Sequence, residues 1–126
     1  MRKKKLAVLG RGTAGVLSMA QLINKEPNAE LEWYFDSNVK PQAVGEGSTL
    51  DVPATLLKTV GFLHNDLHQI DGTVKQSIRK MNWGTNNDFY HSFPPPAVGY
   101  HFNAIQLQKY VFEKLKDQVT LIDQNI

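Results

Sequence analysis

Lys5-Leu6-Ala7-Val8-Leu9-Gly10-Arg11-Gly12-Thr13-Ala14-Gly15 decides the fold. Lys5 to Leu9 is a short, mostly apolar run of the kind that forms a buried parallel strand. Three glycines follow at G-x-G-x-x-G spacing, and each has its own task. Gly10 allows a tight turn out of the strand, Gly12 lets backbone approach a pyrophosphate, and Gly15 lets the next helix pack close to the strand. Val16, Met19, Ala20 and Ile23 then recur at i, i+3, i+4 and i+7, one face of a helix. Pro27-Asn28 closes that helix. Leu31 to Phe35, with Trp33, Tyr34 and Phe35 in a row, has the chemistry of a second strand, and it ends in Asp36. The result is a βαβ unit, which closes as a right-handed crossover. A helix that starts at this loop offers free N–H groups and a positive dipole end to phosphate. Asp36, roughly twenty residues past Gly15, is placed to bond a ribose hydroxyl. A strand before the motif, a helix after it and an acid at the next strand end are the context that confirms it. Gly10, Gly12, Thr13, Ala14, Gly15 and Asp36 are the expected dinucleotide contacts. The motif alone does not separate FAD from NAD.

Outward from this unit, the chain keeps alternating. Asp51 is placed to cap a helix over Val52 to Val60, with Pro53 in its first turn and Gly61 after it. Asn65 is placed to start a further helical segment ahead of Asp71-Gly72. Val74 to Trp83 and Asp88 to Phe93 read as strands joined by a turn around Gly84, Asn86 and Asn87. Pro94-Pro95-Pro96 breaks regular structure. Asn103 to Lys116 reads as an amphipathic helix, with Ala104, Leu107, Val111 and Leu115 on one stripe, and Val119 to Ile122 as another strand. The fold class is α/β, a Rossmann-like βαβ core with an inserted hairpin and helical segment. Two or three parallel strands with so few helices leave apolar faces poorly covered. The unit therefore reads as incomplete, residues 1–126 being the N-terminal part of a longer dinucleotide-binding domain.

Composition narrows the function classes. The chain has 126 residues, of which 41% are hydrophobic and 21% charged, the ordinary balance of a water-soluble domain. A net charge of +2 argues for no nucleic-acid partner, and the Arg2-Lys3-Lys4-Lys5 run reads as a solvated lead-in to the first strand. The apolar run after those charges is too short for a signal peptide, and none is long enough to span a membrane, so a cytoplasmic location is expected. The absence of cysteine excludes disulfides, thiolate catalysis and Cys-ligated zinc. His64 and His68 stand at i, i+4, but without a third ligand they carry no metal site.

Two further stretches carry chemistry. Val44-Gly45-Glu46-Gly47-Ser48-Thr49 is a flexible polar turn with several exposed N–H groups. Gly72-Thr73-Val74-Lys75 leads into Ile78 and Asn82-Trp83. If Val74 and Ile78 both face inward, Lys75 faces away from them, so alternation does not decide its environment. Arg79 and Lys80 read as structural or solvated charges, and Trp83, Phe89 and Tyr90 as core packing ahead of an aromatic pocket.

The glycine loop, the Gly-Glu-Gly-Ser-Thr stretch and the lysine segment, in this order and spacing, resemble the N-terminal part of the flavin-dependent halogenases, the tryptophan halogenase family. The likeness runs from Leu6 to Ile122 and implies that the domain is an FAD-binding one. It implies reduced FAD from a separate flavin reductase, with oxygen and a halide ion as co-substrates. The product is hypohalous acid, passed at Lys75 to an electron-rich small aromatic substrate of the indole, pyrrole or phenol type. Lys75 is the catalytic residue on this reading, holding hypohalous acid by a hydrogen bond or reacting with it as an amine. Gly45, Glu46, Gly47, Ser48 and Thr49 match the family's strap between flavin and substrate sites, Gly47 standing where alanine is usual, and become expected flavin contacts. Tyr100-His101-Phe102-Asn103 resembles the family's lead into its long helix, where Asn103 caps and Phe102 packs. The family's Trp-x-Trp-x-Ile-Pro motif and the later acid that works with the lysine are absent from these residues, so this chain alone is expected not to turn over. Two readings stay open beside halogenation: an FAD-dependent monooxygenase, and a non-catalytic nucleotide-binding fragment.

Overall fold

The computed structural model describes residues 2–125. In chain order its elements are β1 (Lys5–Leu9), α1 (Thr13–Lys25), β2 (Glu30–Phe35), α2 (Asp51–Val60), β3 (Thr73–Lys75), β4 (Ser77–Trp83), β5 (Asn86–Ser92), β6 (Gly99–His101), α3 (Ala104–Leu115) and β7 (Thr120–Asp123). A 3-10 segment covers His64–Ile70 and a shorter one Lys116–Gln118. β1, β2 and β7 form a parallel sheet with β2 in the middle. The register runs from Lys5 opposite Glu30 to Leu9 opposite Tyr34, and from Glu32 opposite Thr120 to Phe35 opposite Asp123.

β2 has two different faces, as period-2 alternation requires. Leu31, Trp33 and Phe35 are buried, and the rings of Trp33 and Phe35 pack on Phe112 of α3. Glu32 and Tyr34 take the other face with Lys5. Lys5 Nζ stands 2.6 Å from Glu32 Oε1, and the Tyr34 hydroxyl donates to Glu32 Oε2 at 2.9 Å. The Lys5 and Tyr34 hydrogen bonds hold the Glu32 carboxyl below its ordinary range.

The core sits between sheet and helices. Val16, Met19 and Ala20 of α1 meet Leu107, Val111 and Leu115 of α3, all without solvent exposure. α2 packs on α1, where Gln21 Nε2 donates to Thr55 Oγ1 at 2.9 Å. Gly61 ends α2 in the left-handed region at φ 69°, and Gly61 N and Phe62 N close the last turn on Leu57 O and Leu56 O. Asp51 does not cap α2. It stands inside the first turn, where its charge favours the helix dipole, and Leu50 occupies the cap position. The 3-10 segment begins at His64, one residue before the expected Asn65, because the Asp66 carboxylate accepts from Leu63 N at 2.9 Å. Asn103 caps α3 as expected, its side chain accepting from Gln106 N at 3.1 Å.

The stretch Val74 to Trp83 is not one strand. It divides at Gln76 into β3, which pairs antiparallel with β6, and β4, which pairs antiparallel with β5. The two halves belong to different two-stranded sheets because β6 returns to β3 alone, while Gln76 O accepts from Phe93 N at the hairpin's base. The turn is Gly84-Thr85, with Gly84 at φ 66°, and Asn86 and Asn87 already belong to β5. The hairpin stands apart from the core: Trp83 and Tyr90 are exposed, contrary to the core packing expected of them, and only Phe89 is half-buried. Arg79 forms a two-point ion pair with Asp88, at 3.0 and 2.6 Å.

Candidate functional site

The glycine loop opens onto a cleft of about 800 Å³. Gly10, Arg11, Gly12, Thr13 and Ala14 form one wall, Phe35 and Asp36 the sheet end, and residues of α3 the other wall. The loop's shape follows from its glycines. Gly10 sits at φ 93°, a conformation open to glycine at little cost. Gly10 N donates to Tyr34 O, and the Gly10 carbonyl accepts from Trp33 Nε1, both at 2.8 Å. Gly15 does not line the cleft. A Cβ there would strike the Gly10 carbonyl, so its task is the close approach of α1 to the loop. Gly12 has nothing within 4 Å of an added Cβ, so its bareness serves the cleft.

The cleft fits a dinucleotide in two further respects. No side chain caps α1 and no acid stands in its first turn, so its leading N–H groups are left for an anion. Asp36 accepts from Asn38 N at 2.8 Å through one carboxylate oxygen, which fixes the group at the cleft and leaves its second oxygen for a ribose hydroxyl.

The wall from α3 holds a residue that sequence reasoning passed over. Gln108 is buried, and its Nε2 donates to Thr13 Oγ1 at 3.0 Å and to the Gln42 carbonyl at 3.1 Å. It ties the start of α1 to the segment Val39 to Val44, which covers the cleft. The signal was present: Gln108 stands on the apolar stripe of α3 between Leu107 and Val111, and a polar residue there needs a partner.

The segment then continues to a second place. Gly45 to Thr49 does not line the cleft but runs alongside β6, held by a single bridge and backbone hydrogen bonds. Ser48 N donates to Tyr100 O at 2.8 Å, Phe102 N to Glu46 O at 2.9 Å, and Gly47 pairs with His101. The Ser48 hydroxyl is engaged within the chain, accepting from Tyr100 N and donating to Thr49 O, both at 2.8 Å. Its task here is to fasten the strap.

Lys75 lies on β3 opposite Gly99 and is half-buried, whereas Val74 and Ile78 are exposed. Its Nζ donates to Ser48 O at 3.5 Å and lies 5.9 Å from the Phe93 ring centre. A Cβ on Gly47 would stand 3.8 Å from Lys75 Nζ and 3.6 Å from His101 Nδ1. Gly47 therefore leaves room beside two nitrogen-bearing side chains, and His101 joins the site from β6. Lys75 and the strap are thus brought together, while the glycine loop and Asp36 form a separate cleft reached by the same segment.

The two histidines of the i, i+4 pair are spent separately. His64 Nδ1 is 2.7 Å from the Tyr100 hydroxyl and His68 Nδ1 is 2.8 Å from Asn65 O. Burial and the negative charge of Asp66 push the Tyr100 hydroxyl above its ordinary value. Among the described residues no group of three or more His, Asp or Glu is placed to hold a metal, and no helix is long and apolar enough to cross a membrane.

A parallel βαβ sheet, a glycine loop with an open helix start and an acid at the next strand end define an α/β protein of the dinucleotide-binding type. The family described as tryptophan halogenase matches residues 5–123, and the chain belongs to it. A search of curated protein sequences returns no match. Among solved structures, a tryptophan 6-halogenase from Streptomyces toxytricini superposes with a TM-score of 0.82 at 16% identity, over 98% of this chain and 35% of that one. A tryptophan halogenase from Shewanella frigidimarina gives 0.82 at 20% identity, over 98% and 36%. A flavin-dependent halogenase from Xanthomonas campestris gives 0.83 at 14% identity, over 100% and 36%. At these identities the likeness is one of fold. The chain spans about a third of the length of those structures.

Proposed function

We propose that this chain supplies the FAD cleft and the halogen-delivering lysine of a flavin-dependent halogenase acting on an electron-rich aromatic compound. The observation that carries the reading is the strap. The segment leading into it, Val39 to Val44, lines the dinucleotide cleft, and the strap itself meets Lys75 Nζ through Ser48 O at 3.5 Å.

Each residue then has a task. Gly12, Thr13 and Ala14 present backbone N–H groups to the pyrophosphate, and Asp36 takes a ribose hydroxyl. Gly45 to Thr49 carries the path from cleft to Lys75, fastened by Ser48 to β6. Bound FAD, reduced by a separate reductase, supplies the chemistry that turns oxygen and halide into hypohalous acid. The Lys75 ammonium donates a hydrogen bond to that acid, or its neutral amine exchanges an N–H proton for the halogen with release of water, and so aims the halogen at one carbon of a substrate, whose ring proton is displaced. The half-burial of Lys75 against Gly99 and Phe93 limits water around the group.

The test uses the full native chain with a flavin reductase, FAD, NADH, oxygen and bromide, and a panel of indoles and phenols. Mass spectrometry of the products should show the paired bromine isotopes, and Lys75→Ala should abolish them. Hydroxylated products without halide dependence would replace this reading with a monooxygenase. Bound FAD with no product of either kind would leave a nucleotide-binding protein.

A further inference from the structure

Arg11 occupies the central x of Gly10-x-Gly12, in the wall of the cleft. Its guanidinium carbon stands 4.5 Å from the Phe35 ring centre and 5.1 Å from that of Phe112. Those two rings meet edge to face at 5.4 Å, and Phe112 packs in turn on Trp33 at 5.2 Å. The guanidinium is thus seated on an aromatic floor that packs against the core through Trp33. Among the described residues no carboxylate stands within ion-pair distance of it and no side-chain hydrogen bond is spent on it; its nearest acid is felt only through charge, the Asp123 carboxyl being held below its ordinary range by the Ser37 hydrogen bonds and then by Arg11. A planar cation seated on rings at the edge of a cleft, with no carboxylate in direct contact, offers a flat surface to a ligand.

Its neighbours say which part of a ligand. Asp36 directly follows Phe35, so the ribose position adjoins the aromatic floor, while the uncapped start of α1 at Thr13 takes phosphate. The group attached to that ribose on the side away from phosphate is the base. We propose that Arg11, seated on Phe35 and Phe112, is the platform on which the adenine ring of the dinucleotide stacks. This rests on the dinucleotide reading of the cleft and assigns Arg11 as a specificity residue within it. A lysine in its place would keep the charge and lose the plane.

Calorimetric titration of the full native chain with ADP, and separately with inorganic pyrophosphate, tests this against Arg11→Ala and Arg11→Lys. Thermal melts confirm that each variant is folded. Both variants should bind ADP about tenfold more weakly than the parent, the size of one stacking contact with a partly desolvated cation. Pyrophosphate affinity should be unchanged in both. Recovery of ADP binding by Arg11→Lys, or an equal loss toward pyrophosphate, would make Arg11 a phosphate ligand and overturn the platform. Unchanged ADP binding by Arg11→Ala would overturn it as well, while leaving the cleft intact. Failure of the parent chain to bind ADP would remove the dinucleotide reading itself and the platform with it.

Discussion

Replacing Gly15 with alanine adds one methyl group, and the structure says where it goes. The new Cβ would meet the Gly10 carbonyl, with its carbonyl carbon at 2.8 Å, whereas ordinary contact begins near 3.4 Å. The loop cannot yield cheaply. Gly10 is held through its N–H on Tyr34 O and through its carbonyl on the Trp33 indole, and losing either bond costs about 1 kcal/mol. The helix must therefore retreat by at least about half an ångström, and it carries Val16, Met19 and Ala20, which are packed without any exposure. Overpacking of this kind costs about 1–3 kcal/mol, and alanine returns about 1 kcal/mol of helix propensity. With one strained hydrogen bond added, the net loss is about 2 kcal/mol, a fall in Tm of roughly 5–10 °C for a unit of this size. Gly12→Ala is the counterpart. Gly12 has an extended backbone at φ −68° and nothing within 4 Å of its Cβ position. Its stability should stay within about 0.5 kcal/mol of the parent, while ADP affinity falls at least tenfold, about 1.4 kcal/mol, because the methyl group stands where phosphate approaches. Circular-dichroism melts and ADP titrations on both variants decide the matter. A Gly15→Ala chain that melts with the parent, or a Gly12→Ala chain that loses as much stability, would refute the division of labour between the two glycines.

Three other outcomes are expected. Gln108→Leu should lower stability by about 1–2 kcal/mol and weaken ADP binding, since Thr13 and the Gln42 carbonyl lose their shared donor; a melt and a titration that match the parent would remove Gln108 from the site. Lys75→Ala should keep ADP affinity and Tm close to the parent while product formation in the full enzyme is lost, because Lys75 touches the strap and not the cleft; reduced ADP binding would count against that separation. The Arg79 hydrogen bond holds the Asp88 carboxyl below its ordinary value. A depressed carboxylate contributes stability that is present above the unfolded value and is lost as pH falls through the lowered one. Carbon-detected NMR titration of Asp88 should therefore show protonation below the ordinary carboxylate range, with the β4–β5 pairing loosening in the same acidic interval, and Arg79→Ala should return Asp88 to the ordinary value.

How much of this was legible in the sequence depends on how many residues carried each signal. β1, α1, β2 and α3 each had several apolar positions in phase, and Leu31, Trp33 and Phe35 or Ala104, Leu107, Val111 and Leu115 are buried as their spacing implies. β3 is three residues long and offers one alternation, too little to separate it from β4 or to show that Lys75 is the half-buried member of its strand. Its boundary is set from outside, by β6, which is distant in sequence. The same reason hid His101. It reads as part of a helix lead-in, and only the antiparallel pairing with Gly47 turns it toward Lys75. Ser48 was expected as a flavin contact, and its fastening of Tyr100 was not legible, because a hydroxyl in a polar loop looks the same whether it faces a ligand or holds backbone.

The strap also explains why the glycine loop and Lys75 are held in one arrangement although no element contains both. Three fastenings act on a single stretch of chain. Gln108 takes the Gln42 carbonyl, the Ser48 hydroxyl and amide hold Tyr100, and Glu46 O accepts from Phe102 N. The last two bind to β6 and to the residue just beyond it, and β6 runs through Phe102 and Asn103 into α3, the helix that carries Gln108. Cleft wall and lysine strand are therefore referred to one continuous stretch of chain, β6 leading into α3. A displacement of α3 would move the cleft cover and the Lys75 contact together. Distance between the two sites is then fixed by the backbone from Gln42 to Ser48, pinned at both ends, and a single break at Ser48 should loosen Lys75 while leaving Gln108 and the dinucleotide cleft in place.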